Sequence, residues 1–386
     1  MIGQRWMSWL WIGSMGLMLL GEVSRGAEGE EMPDYQYQFE DIRIPRALAT
    51  EPKRSEGSVI PALRYIEQGA TAWTRSKKCV TCHTNGTYLA LRPSLTGRIG
   101  KPSQEVRDFF VTLLKEGTSQ LGGKDKLNDS QLIYITRGLA EWDAYVLKKL
   151  SVETKLALKQ LFDRQLPTGE WKALGKCWPP LESSAFQEAT VAALAIAVAP
   201  GWLSNLTDEK MRAGVERLRN YFRKAQPPHD YGRVVLLWAS AKLPGILDDT
   251  EKAKIIKMIG RQQQPDGGWS IRTFAHPEQW GNGNRAEKLR AEKEFESPPS
   301  DGHQTGLSLI ALSESGVSAR DPKIRKGVQW LLRNQRESGR WWTRSLNTDN
   351  YHFITYSGTL YPLVALHLCD GWPEVSIESA TALTQP

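Results

Sequence analysis

Along most of the chain, two kinds of apolar pattern take turns. In KIRKGVQWLLRNQ (323–335), Ile324, Val328, Leu331 and Leu332 recur at helical spacing on one face, with Lys and Arg on the other. EKAKIIKMIGRQQ (251–263) and MRAGVERLRNYFRKA (211–225) have the same character. Between them lie segments that are apolar nearly all round: ATVAALAIAVA (189–199), VVLLWASA (234–241), TGLSLIALSESG (305–316) and GTLYPLVALHL (358–368). A helix apolar on every side has to be buried among others, so the pattern predicts outer, half-polar helices alternating with inner, apolar ones. No segment sustains a period of two, and no sheet is expected.

A repeat marks the joints of this alternation. Gln165–Gly169–Trp171, Gln263–Gly267–Trp269 and Gln335–Gly339–Trp341 share one spacing, and each follows an amphipathic stretch. Gly allows a sharp turn after the helix, the Gln amide can satisfy freed backbone groups, and Trp covers the turn with a large apolar plate. The chain has 15 Trp, against 9 Phe and 11 Tyr, as repeated structural positions require.

The fullest copy, Lys326-Gly327-x-x-Trp330-Leu331-x-x-x-Gln335-x-x-x-Gly339-x-Trp341, resembles the QW motif of squalene-hopene cyclases and related triterpene cyclases. The other two copies have degenerate starts, and ALRYIEQGATAW (62–73) resembles a remnant of a fourth. The resemblance implies an all-α fold, a single α/α toroid of concentric inner and outer helices over residues 61–375, shared with prenyltransferase β-subunits. The family's chemistry does not carry over. Cyclisation by protonation uses an Asp-x-Asp-Asp motif, and the sequence has none. Asp248-Asp249 precedes a polar helix and reads as a capping pair. The Asp-x-Cys zinc ligands of prenyltransferases are also missing, since Cys369-Asp370 runs in the opposite order. Function follows the site and not the fold, so neither activity is expected.

The flanks have a different composition. Trp6–Leu20 is an apolar run after Arg5, of signal-peptide length and short for a membrane span. Ser24 and Gly26 suit a cleavage site, so residues 1–26 are expected to direct export to the periplasm or beyond. Residues 27–60, broken by prolines, read as an irregular arm, and 376–386 as a tail. No later segment is apolar enough to span a bilayer. The net charge of +7 is spread out, with no basic run dense enough for nucleic acid.

The sharpest chemical signal is Cys79-Val80-Thr81-Cys82-His83. Cys-x-x-Cys-His attaches c-type haem: the thiols add to the two vinyl groups and the adjacent His becomes an axial iron ligand. The motif also resembles segments in bacterial toroid proteins that couple it to the same QW repeats. One covalent haem c, with His83 proximal, implies electron transfer or a haem-based redox step with a redox partner. Two other readings compete: a Cys79–Cys82 disulfide, and a zinc site lacking its second ligand pair. Without haem, the toroid becomes a binding module for an isoprenoid or other lipid; with it, an enzyme on a terpenoid-like substrate is a further alternative. For the sixth ligand, His303 and His352 are the candidates, because both sit just before or at the start of an inner helix; an open sixth position is the other option. Arg340 and Arg344 flank Trp341-Trp342 and suit either an anionic group or stacking on the structural Trp. The insertion 281–300 reads as a solvated loop, short helix or lid, and Cys177 and Cys369 are a candidate disulfide.

Overall fold

The computed structural model describes residues 34–174, 179–281 and 283–373. The export segment 1–26, the tail 376–386 and Cys177 lie outside the described residues, so the signal, tail and Cys177–Cys369 expectations have no structural counterpart here.

Among the described residues, twelve helices form the body. Six are amphipathic and lie outside: α1 (Val59–Lys77), α3 (Gln104–Glu116), α5 (Val152–Asp163), α7 (Glu209–Lys224), α9 (Asp249–Arg261) and α11 (Pro322–Asn334). Six lie inside and are mostly or wholly buried: α2 (Asn85–Leu91), α4 (Asp129–Trp142), α6 (Ala185–Val198), α8 (Asp230–Lys242), α10 (Gly302–Glu314) and α12 (Ile354–Leu368). Each inner helix packs on the next, and α12 closes onto α2, so the inner ring is continuous. This is the all-α toroid, and the predicted inner and outer segments fall where expected. The sequence pattern had not resolved α2 and α4. Asn85-Gly86 starts the α2 helix.

The three repeats work alike. Gln165 Nε2 donates to the carbonyls of Gly169 (2.8 Å) and Gly214 (2.9 Å). Gln263 donates to Gly267 and Lys323, and Gln335 to Gly339 and Ser58. Each Gln therefore staples its own turn to the next outer helix, and the last staples α11 to the start of α1. The indole Nε1 of Trp171, Trp269 and Trp341 donates to the carbonyl of Leu161, Ile259 and Leu331. These are carbonyls in the outer helix just ended or its last turn. A fully buried Trp thus has its one polar atom satisfied.

Asp248 caps α9 as expected. It accepts from the Glu251 amide at 2.7 Å while the Glu251 carboxylate accepts from the Asp248 amide. Asp248→Ala is expected to cost about 1 kcal/mol in urea unfolding, because one backbone donor loses its partner at an exposed helix end.

Two expectations fail in the arm. Residues Tyr35–Phe39 (β1) and Ile42–Pro45 (β2) form an antiparallel hairpin, so the described residues do contain a small sheet. It is not a loose linker. Tyr37 and Ile44 are buried, and the Tyr37 ring packs against Tyr65 of α1 and Tyr356 of α12. A two-stranded hairpin is marginal alone and is held by that aromatic contact.

Candidate functional site

The starts of α4 and α12, with the segments that lead into α2 and α6, border a cleft of about 390 Å³, which brings Cys79, Cys82 and His83 together with His352. Its other walls include Trp73, Leu181, Phe353 and Ile354, and among the described residues Glu182 is the one acidic or basic side chain that lines it. That size is within the range of small-molecule sites.

The Cys-Val-Thr-Cys-His loop ends where α2 begins, and its backbone is fixed from several sides. Asn85 Oδ1 accepts from the Thr81 amide (3.0 Å), and its Nδ2 donates to the Cys79 carbonyl (3.0 Å). Trp73 Nε1 also donates to the Cys79 carbonyl, and Gln131 Nε2 to that of Val80. A Cβ on Gly86 would lie 2.5 Å from the Thr81 carbonyl oxygen, so only glycine lets the loop lie this close to the helix.

Both thiols are free, and no disulfide joins Cys79 to Cys82. Burial raises the pKa of each. For Cys82 the Glu182 carboxylate adds to that rise. Neither thiol is poised as a thiolate nucleophile. Among the described residues no group of three or more His, Cys, Asp or Glu is arranged to hold a metal ion.

His83 stacks on Phe353 at 4.7 Å with 14° between the planes, and Trp73 meets it edge-on. Its Nδ1 lies 2.9 Å from the Thr84 hydroxyl, which is 2.8 Å from the Tyr37 hydroxyl of the hairpin. Desolvation lowers its pKa to about 3, so the ring is neutral at physiological pH.

His352 lines the same cleft. Its backbone is left-handed (φ +47°), and its carbonyl accepts from Gln36 Nε2 (3.0 Å) and from the Thr355 amide (2.8 Å). Its Nδ1 accepts from the Ser345 amide at 3.1 Å. Burial lowers its pKa to about 4.

His303 does not join them. It is fully buried beneath the start of α10, with Nε2 3.2 Å from the Tyr231 hydroxyl and Nδ1 2.8 Å from that of Ser357. Its sequence position predicted the cavity mouth, but the side chain turns into the ring, where two hydroxyls satisfy it.

Other expectations resolve locally. Arg340 lies over the Tyr65 ring (5.4 Å) and pairs with Glu51 (3.2 Å), so it stacks on a tyrosine of α1 and not on Trp341. Arg344 pairs with Asp349. The insertion forms a short helix, Ala286–Arg290, pinned down rather than hinged. Buried Glu292 pairs with Arg272, and Arg285 and Lys288 bond Asn347 and Asp349 of the loop that walls the cleft.

Sequence reasoning missed Gln36, Tyr37, Thr84, Asn85 and Phe353, all of which touch or hold the site. It also missed two carboxyls near Cys82, the half-buried Glu182 that lines the cleft and the buried Glu188. Glu182 accepts from the Ser130 hydroxyl (2.9 Å). Burial and the Glu182 charge push the neighbouring Glu188 up to about 8.

Parts of the chain are similar to known proteins. Residues 202–369 match the family model of the squalene-hopene cyclase C-terminal domain. The squalene--hopene cyclase of Bradyrhizobium diazoefficiens is 28% identical over 163 residues, which are 38% of this chain and 23% of that protein. The chain therefore aligns with under a quarter of that relative's length. A solved protein from Actinoplanes is similar at a TM-score of 0.45 and 16% identity, over 75% of this chain and 89% of that one. The type II terpene cyclase MstE from Scytonema is similar at 0.42 and 14%, over 74% of this chain and 89% of that one. A variant of it in complex with geranylgeranyl dihydroxybenzoate gives 0.43 and 13%, over 81% and 99%. With its closed inner ring and three stapling QW turns, the chain is a terpenoid cyclase-like α/α toroid. Residues 202–369 are similar to the squalene-hopene cyclase C-terminal domain, and the sequence carries no Asp-x-Asp-Asp motif.

Proposed function

We propose that this is an exported monohaem c-type protein built on the toroid, serving electron transfer or a haem-based redox step. The observation that carries the reading is the convergence of Cys79, Cys82 and His83 on one largely apolar cleft. The residues present fit the group. Both thiols are free to form thioethers, and the Thr84 hydroxyl can accept a hydrogen bond from His83 Nδ1–H, which leaves Nε2 a lone pair for iron. Bound there, haem would supply one-electron chemistry. The chain's own contribution is to fix the His83 ring between Phe353 and Trp73. Export rests on the Trp6–Leu20 segment, which also gives access to the compartment where c-type haem is attached.

The test is a reduced pyridine haemochrome spectrum with intact mass, on protein exported from cells that carry the cytochrome c maturation machinery. A c-type band and a mass gain of one haem are expected, and the Cys79→Ala, Cys82→Ala double variant should lose both. Unmodified wild-type protein from cells that mature a control cytochrome overturns the reading. The apolar walls of the cleft favour a second reading in that event, a binding site for an isoprenoid or similar lipid.

A further inference from the structure

The two histidines of the cleft are not chemically equivalent. A main-chain amide can only donate a hydrogen bond. Because the Ser345 amide points at His352 Nδ1, that nitrogen must present its lone pair, and the neutral ring carries its proton on Nε2. A protonated nitrogen cannot coordinate a metal. His83 has the opposite freedom, since its Nδ1 faces a hydroxyl that can accept as readily as donate.

The His352 ring is also not free to turn over. Its left-handed backbone is a conformation that costs a non-glycine residue free energy, and the surroundings hold it there. Gln36 of the hairpin binds the His352 carbonyl and is itself held by the Tyr65 hydroxyl (2.7 Å). Trp342 meets the ring at 4.7 Å. Arg272, itself paired with buried Glu292, donates to the Ser345 carbonyl. Strain stored in a residue that lines a cleft, and held from three elements, is the mark of a placed side chain.

We infer that His352 is a fixed Nε2–H donor aimed at a small ligand in the cleft, and is not the sixth ligand of the haem. This rests on the haem reading and deepens it. The iron's open side would then take a small exogenous molecule with a lone pair, anionic or diatomic, and His352 would hold it by a hydrogen bond.

Cyanide and the ferric haem-loaded protein provide the test. Wild-type protein is expected to be high-spin in its absorption and electron paramagnetic resonance spectra, a measurement that needs no variant. His352→Ala should leave that spin state unchanged and raise the cyanide Kd about 10- to 100-fold, the value of a hydrogen bond to a charged acceptor. His352→Gln, which keeps a donor, should recover part of the loss. A low-spin wild-type spectrum that turns high-spin in His352→Ala would make His352 the sixth ligand and overturn the inference. An unchanged cyanide Kd would overturn it equally. A pyridine haemochrome run first separates these from failure of the haem reading, which shows as absent haem before any cyanide is added.

Discussion

Gly339→Ala should lower the unfolding free energy by about 3–4 kcal/mol, whereas Gly316→Ala should cost only about 1 kcal/mol. The two glycines have nearly the same backbone, φ +87° and +88°. Both substitutions therefore carry the same left-handed penalty for an L side chain. They differ in what the new methyl meets. At 316 there is nothing within 4 Å, while at 339 the Cβ would lie 2.2 Å from the Ala62 nitrogen and 2.4 Å from the Pro61 carbonyl carbon. Those are backbone atoms of α1 and cannot rotate away. Position 339 is where the last repeat meets the first outer helix, so the strain falls on closure of the ring. Chemical denaturation of both variants isolates this packing cost as their difference. Equal losses would mean that the last turn does not hold α1 as tightly as the Gln335–Ser58 bond indicates.

Glu188→Gln should stabilise the protein above pH 8 by a few kcal/mol, the scale of a pKa displaced by several units. The gain should fade as the pH falls toward 4.5. The carboxyl is buried, its Oε2 has no partner, and its folded pKa of about 8 is above the ordinary 4.5. A carboxyl with a raised folded pKa takes up its proton more readily in the folded state. Its contribution to stability is complete below pH 4.5 and is lost as the pH rises through 8. The amide cannot ionise and escapes that loss. Glu182, raised in the same direction, leaves part of the slope in the variant. Thermal unfolding of both proteins from pH 4 to 9 checks this, and a gap that does not vary with pH would show that the Glu188 carboxyl has the same pKa folded and unfolded and is not raised by burial.

Periodicity located alternating helices of two kinds, and the closed toroid was implied only by the resemblance that the QW spacing carries. Inner helices such as 305–316 and 358–368 are apolar all round, so each has to be buried among others. The QW spacing located the turns, since Gln, Gly and Trp act there through local backbone geometry that short sequence can encode. The Cys-x-x-Cys-His run was legible for the same reason, as its chemistry depends on five consecutive residues.

What the sequence could not decide were the contacts made across the ring. Tyr37 and Gln36 sit in a stretch that reads as a linker, because a hairpin of four- and five-residue strands has too little pattern to announce itself. Only closure of the toroid brings that hairpin against Thr84 and His352, more than 300 residues apart in sequence at the far contact. His303 and His352 look alike in sequence, each at or just before the start of an inner helix. Rotation about those helices separated them, turning His303 toward Tyr231 and Ser357 in the core and leaving His352 at the cleft. Even the chemical role of His352 was set by a single main-chain amide, that of Ser345, whose direction depends on the whole loop. Side-chain type and spacing are local properties of a chain, while the partner at each polar atom is fixed only when distant segments pack.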